Sequence, residues 1–271
     1  MRNNSKIKFM AEKTLKILFI GDIVGKPGRR AAKLMIPLLQ ASEKVNLVIA
    51  NGENLASGKG MTFGKYEEMI ESGIDYFTSG NHIWNNQDIV DHLGDPSLRV
   101  LRPENYPDNM PGSGVREIED GLVLVNLQGR VFMDEELADP FKIGRDIAEK
   151  YADKIIIIDF HAEATSEKVA LGFYLDGKVS AIIGTHTHIQ TADERVLPDG
   201  TAYISDVGMT GPQDSVLGVK KEIIIEKFLT QLPKSHKVAS GEMILNAVII
   251  EIDKKTKKAL NIKRVSKVIK P

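Results

Sequence analysis

The sequence predicts an α/β fold, a mixed sheet or two-sheet sandwich flanked by helices, on two observations. Short runs rich in Ile, Val and Leu recur between stretches of helical character, as buried strands do in α/β proteins. The first half alternates strand and helix in βαβ fashion, whereas the C-terminal end carries hairpin-like strands with almost no helix between them. No internal repeat, low-complexity tract or heptad seam points to another architecture.

Taken in order, the strand candidates are residues 16–20, 47–50, 76–78, 122–127, 154–159, 181–183, 202–204, 247–252 and 259–265. Pro27 suits the first turn of a helix that runs to Leu38 despite the interior Pro37, and residues 63–72, 86–93, 140–151 and 220–229 complete the helix candidates. Residues 102–115 hold Pro103, Pro107, Pro111, Gly112 and Gly114 with no periodicity, which predicts a long surface loop of the kind that serves as a lid.

A chain of 271 residues buries a substantial core, and one domain over 14–271 is the simplest reading, preceded by a disordered leader over 1–13 or by a start at Met10. Its 36 Lys and Arg nearly balance 37 Asp and Glu, so long-range attraction to nucleic acid is not predicted, while a local basic patch stays compatible with the composition. The absence of cysteine excludes disulfides, thiolate metal sites and a Cys nucleophile, so any metal must be held by nitrogen and oxygen. The longest apolar runs, such as 155–158, fall far short of the roughly 20 residues that span a bilayer, so no membrane is expected. Residues 15–20 are too short for the apolar region of a signal peptide, which predicts a cytoplasmic protein.

Polar residues of metal-binding type stand just past the ends of the apolar runs, five times over. These are Gly21-Asp22, Asn51-Gly52-Glu53-Asn54, Gly80-Asn81-His82, His161 with Glu163, and Gly184-Thr185-His186-Thr187-His188. In open α/β sheets the carboxyl ends of strands lie along one edge, so residues far apart in sequence converge there. Gly21, Gly52, Gly80 and Gly184 each precede a candidate ligand by at most two residues and permit close backbone approach. Two-residue spacing on a strand would aim His186 and His188 at one place. A single strand-end Asp such as Asp22 ordinarily caps a turn; the repetition carries the argument.

These ordered blocks resemble the signature of calcineurin-type metallophosphoesterases. The segments IGDIVGKPGR, NGEN, SGNHIW, LQGR, DFHAEATSEK, GTHTHIQTAD and DVGMTGP resemble the YmdB-like branch in particular, over nearly all of residues 15–265. The resemblance implies that Asp22, Glu53 and His188 hold one metal ion and that Glu53, Asn81, His161 and His186 hold a second, with Glu53 bridging. It places Asn54 and His82 against the substrate phosphate as catalytic groups. Val24 occupies a position where the broader superfamily often has a ligand His, and Glu53 replaces its usual bridging Asp; both departures resemble this branch.

The implied activity is phosphodiester hydrolysis, of 2′,3′- or 3′,5′-cyclic nucleotides, in which a hydroxide shared by two metals attacks phosphorus and His82 protonates the leaving oxygen or stabilises the transition state. The nitrogen and oxygen donors suit iron, manganese or zinc better than calcium, and the resemblance favours iron or manganese, divalent or trivalent, with zinc or magnesium as alternatives. A small phosphodiester substrate, an RNA-metabolism partner and a homo-oligomer are the expected partners. A phosphomonoesterase, or a regulatory scaffold with little turnover, is the competing function; a non-ligand His82 beside the metals favours an enzyme.

Other features read more weakly. No serine lies in a Gly-x-Ser-x-Gly elbow, and Gly21, Gly25 and Gly28 have the wrong spacing for a dinucleotide fingerprint. Trp84 is expected to buttress His82, and His92 and His236 to lie exposed. Glu163 and Asp206 are candidates for partners of ligand histidines or for turn residues.

Overall fold

The computed structural model describes residues 13–118 and 121–270, so the leader expected over 1–13 lies, apart from Lys13, outside the described residues. In the first of two six-stranded sheets, β1 (Thr14–Ile20), β2 (Leu47–Asn51) and β3 (Tyr76–Thr78) run parallel. In the second, β4 (Val115–Ile118) lies antiparallel to β5 (Leu122–Gln128), and β6 (Ile155–His161), β7 (Ala181–Thr185) and β9 (Ala202–Ile204) continue parallel to β5, with β8 (Arg195–Val196) antiparallel at the far edge. The first sheet is completed by β10 (Gly211–Pro212), β11 (Met243–Asp253) and β12 (Ala259–Ile269); β11 runs antiparallel to β1, β10 and β12.

Side-chain alternation along the strands sorts residues into layers. Leu15, Ile17 and Phe19 of β1 meet Leu124, Ile157 and Ile183 of the second sheet in the core between the sheets. Leu18 and Ile20 turn the other way, beneath α1 (Gly25–Glu43) and α2 (Phe63–Glu71). On the outer face of the second sheet, Val123, Val125, Ile156 and Ile158 pack under α4 (Pro140–Lys150) and α5 (Thr165–Tyr174). The result is the helix-flanked two-sheet sandwich that the sequence predicts. Among the described residues no helix is long and apolar enough to cross a membrane.

Local chemistry explains where elements begin and where sequence reading failed. Asp139 caps α4, accepting from the Phe141 and Lys142 amides at 2.9 and 3.4 Å, with Pro140 in the first turn. α1 continues through Pro37 because Ala31, Ala32, Ile36 and Leu39 are buried, and this packing outweighs the lost hydrogen bond. The helix expected over 86–93 shrinks to α3 (Gln87–Val90), for Asn86 caps it instead of belonging to it. α5 escaped notice because its buried face carries Glu167 and Lys168 beside Leu171 and Gly172, which breaks the apolar period. The two-residue strands β8 and β10 and the short edge strand β4 are too brief to show a pattern. α6 (Lys221–Thr230) matches its expected position within a residue at each end.

Candidate metal centre

The strand ends of both sheets open onto one edge. Asp22 follows β1, Glu53 and Asn54 follow β2, Asn81 and His82 lie past β3, His161 closes β6, and His186 and His188 follow β7. The structure brings these residues together. His161 Nε2 lies 3.0 Å from Glu53 Oε2 and 3.0 Å from His186 Nδ1. His188 Nε2 lies 3.1 Å from Asn54 Nδ2 and 4.0 Å from Asp22 Oδ1. Two sets of donor atoms emerge, Glu53 with His161 and His186, and Asp22 with Glu53 and His188, each within 4.8 Å of one another. Glu53 belongs to both.

Gly80 makes this approach possible. A Cβ at position 80 would fall well inside van der Waals contact with the His161 ring and with Glu53 Oε2. Asn81 and His82 can therefore flank the Glu53 carboxylate, to which the His82 amide donates at 3.3 Å. Gly80→Ala is expected to fold yet to lose most of its bound metal, measured by elemental analysis of the purified variant; wild-type metal content would remove this role for Gly80.

Burial raises the carboxyl groups here and the histidines answer it. Glu53 is almost wholly buried, which pushes its carboxyl up, but the charge and hydrogen bonds of His161 and His82 outweigh burial and hold it well below the usual range. Burial pulls His161 down, but the neighbouring Glu53 carboxylate raises it to about 9. His186 is held down at about 3, by burial first and then by the charge on His161. Burial raises Asp22 despite the opposing pull of His188 and His161.

The donors fit metal ions on a separate ground. Among the described residues, Asp22 Oδ1 and Asn81 Oδ1 are buried without a hydrogen-bond partner, at a cost of about 1–3 kcal/mol each if left so. Oxygens orphaned beside a carboxylate and imidazoles are what a cation would satisfy, and a sulfur-free set of this kind suits manganese, iron or zinc.

Some expectations about local geometry need correction. His186 and His188 are not on a strand: β7 ends at Thr185, and φ values of 98° and 66° at the two histidines replace strand alternation in aiming them. His82 sits in a 3-10 turn over Asn81–Asn85, so alternation does not orient it either. Its Nδ1 is held by two acceptors, Asn54 Oδ1 at 3.0 Å and Glu53 Oε1 at 3.2 Å, which assigns the proton to Nδ1 and leaves Nε2 without a partner among the described residues. Trp84 packs edge-on against Tyr106, with ring centroids 5.2 Å apart. His92 is half-buried and stacked on Phe63, whereas His236 is exposed. Val24, in place of a ligand His, is buried.

Among supporting residues, sequence reading singled out Glu163 and Asp206 but missed Asp159 and Lys168. Thr185 Oγ1 lies 2.9 Å from His161 Nδ1 and donates to Asp159 at 2.7 Å, while Asn51 donates to the other Asp159 oxygen at 3.0 Å. Lys168 of α5, buried, donates to Asp206 at 2.7 Å and to the Thr185 carbonyl at 2.8 Å. Asp206 in turn accepts from the Thr187 amide and hydroxyl, at 3.0 and 2.8 Å, so it fixes the loop between the two histidines and touches neither ring. Glu163 does meet a histidine, 3.2 Å from His186 Nε2. The expected lid is pinned at its start: Arg102, Pro103, Asn105 and Tyr106 are buried, and Asn105 exchanges hydrogen bonds with Gln128, the register partner of His161. Its start thus borders the metal edge.

Comparison with known proteins agrees with this geometry. A family described as YmdB-like protein matches residues 18–265. The chain is similar to a 2′,3′-cyclic-nucleotide 2′-phosphodiesterase of Bacillus subtilis, 49% identical over 257 residues that cover 93% of this chain and 96% of that protein. Among solved structures, it is similar to a hypothetical protein of Thermus thermophilus, at 39% identity and a TM-score of 0.87 over 95% of this chain and 100% of that one. A structure titled a novel phosphatase, from Mycoplasma pneumoniae, matches at 36% identity and a TM-score of 0.88 over 95% and 94%.

Proposed function

Because the chain belongs to the YmdB-like family, we propose that it is a metal-dependent phosphodiesterase that opens 2′,3′-cyclic nucleotides at the 2′ bond, with 3′,5′-cyclic nucleotides as a second substrate class. The observation that carries this reading is the position of Glu53, shared by two donor sets and in contact with His82. Asp22, Glu53 and His188 would hold one cation, and Glu53, Asn81, His161 and His186 the other; the nitrogen and oxygen donors suit iron, manganese or zinc, and the family resemblance favours iron or manganese. Two such ions supply a lowered pKa for the attacking water and neutralise charge that grows on the phosphoryl oxygens.

The chain's own residues supply the remainder. When water oxygen attacks phosphorus, the bond to the ribose 2′ oxygen breaks, and that oxygen must gain a proton to leave as a hydroxyl. His82 supplies it only as the imidazolium, giving up the Nε2 proton to the leaving oxygen while Asn54 and Glu53 hold Nδ1–H, and it is left as the neutral ring. Asn54 thus positions the proton donor, and its own Nδ2 donates to Glu53 Oε1 at 3.0 Å, which links donor and carboxylate in one frame. Lys168 and Asp206 keep the histidine loop in place.

The test is metal analysis of purified protein together with a panel of 2′,3′-cyclic, 3′,5′-cyclic, linear diester and monoester substrates. Turnover of 2′,3′-cyclic nucleotides with two equivalents of metal is the expected result. A preference for monoesters would move the reading to a phosphatase, and metal without turnover on any substrate would move it to a scaffold.

A homo-oligomer is part of the same proposal. Ile225, Phe228 and Leu229 share one face of α6 and are 53, 77 and 80% exposed, an apolar stripe of the kind that a second copy covers. Phe228→Asp is expected to shift the sedimenting species towards the monomer, and an unchanged coefficient would remove α6 from the interface.

A further inference from the structure

Beside the metal edge lie two cavities, of about 750 and 580 Å³, that share Ser57, His236 and Val238 and so form one continuous groove. Its inner end touches the candidate centre. Leu217 lines the smaller cavity, and its carbonyl lies 3.1 Å from His188 Nδ1. The wall is rigid there: Arg29, nearly buried, donates to the carbonyls of Leu55 and Ala56 at 2.6 and 3.1 Å, directly downstream of Asn54. The turn closed by Ala56 and Gly60 then presents Lys59 to the groove.

The lining is of one sign. Among the described residues no Asp or Glu lines either cavity, although the chain as a whole is balanced at a net charge of −1. Some of the lining cations are already committed, since Arg29 and Lys65 pair with Glu68 and Lys234 pairs with Glu226. Lys26, Arg30, Lys59, Lys227 and Lys237 are exposed and make no ion pair among the described residues. His236, where the cavities join, is held below its usual range by partial burial first and then by Lys227 and Lys59, which is how a local positive potential acts on an imidazole.

We propose that this groove binds the phosphate backbone of a single-stranded RNA whose 3′-terminal 2′,3′-cyclic phosphate sits in the metal centre. The proposal rests on the function proposed above and deepens it from mononucleotides to RNA ends. A cyclic mononucleotide brings one phosphate, and the metal centre takes it; five unpaired cations beyond that centre have no work to do on such a substrate. An RNA strand carries one further phosphate per nucleotide away from its cyclic end, along the direction in which the groove runs. Among the described lining residues the only aromatic ring belongs to His236, which offers no run of stacking platforms, so binding should follow charge with little regard to sequence.

The experiment compares the metal-loaded wild type with the triple variant Lys26→Glu, Lys59→Glu, Lys237→Glu, none of which belongs to the metal centre. Fluorescence anisotropy with an eight-nucleotide RNA ending in a 3′-hydroxyl reads binding without turnover. The wild type should bind with a logarithmic salt slope of about −0.7 per phosphate contacted, near −2 to −3.5 for three to five contacts. The triple variant should bind at least tenfold more weakly with a shallower slope. Turnover of a 2′,3′-cyclic mononucleotide and the melting temperature should stay within twofold and within a few degrees of wild type, while KM for an RNA ending in a 2′,3′-cyclic phosphate rises tenfold or more. Unchanged RNA affinity in the variant, or displacement of the RNA by polyglutamate as readily as by a second RNA, would overturn the groove. Loss of all hydrolysis in the wild type with salt-dependent RNA binding intact would instead sink the catalytic reading alone.

Discussion

Glu53→Gln should reduce phosphodiesterase activity by on the order of 10³-fold, the upper end of the loss caused by removal of one electrostatic group from an active site. It should also remove more metal than any other single change at the centre. The reason is position: Glu53 alone stands in both donor sets, and its two oxygens face different groups, Oε2 towards the His161 ring and the His82 amide and Oε1 towards the His82 ring and Asn54. An amide of the same shape keeps one acceptor and loses the charge, so both proposed cation sites would be weakened at once. Asp22→Asn touches one donor set and should cost less in activity and in metal content. The strands beneath are unaffected, and both variants should melt close to the wild type. Equal residual activity with unchanged metal content in the two variants would count against a shared carboxylate.

That Glu53 and its neighbours could be picked out at all follows from how the sheets are built. Buried parallel strands need continuous apolar runs, so β2, β6 and β7 are visible as such, and whatever polar residue follows each run must lie at the same edge. The residues that cluster at this edge were therefore legible from strand ends alone. Their aim was not. His186 and His188 converge through left-handed backbone at both positions, and His82 is turned by a 3-10 segment, neither of which spacing encodes. Lys168 was hidden for a different reason: on a helix face it reads as a solvated charge, and only burial against Asp206 and Thr185 shows its purpose. The groove cations were invisible too, because residues 26–30, 59 and 237 are scattered in sequence and the overall charge is balanced.

His82→Ala should keep both metal ions and lose catalysis by about 10²- to 10⁴-fold, roughly 3–5 kcal/mol of barrier. Retention of metal follows from the geometry, for His82 belongs to neither donor set and its Nδ1 is taken up by Asn54 Oδ1 and Glu53 Oε1. The nitrogen that remains, Nε2, is on a side chain about one-fifth exposed, open to a substrate but not to bulk water on every side. If its task is to protonate the leaving oxygen, the loss must depend on how much that oxygen needs a proton. A ribose alkoxide is a poor leaving group and should show the full effect, whereas a p-nitrophenolate leaves readily and bis-p-nitrophenyl phosphate should show a loss at least tenfold smaller. Equal losses on the two substrates would make His82 a stabiliser of charge on the phosphoryl group instead of a proton donor. Loss of one metal equivalent in the variant would make it a ligand, and the two donor sets would then have to be redrawn around it.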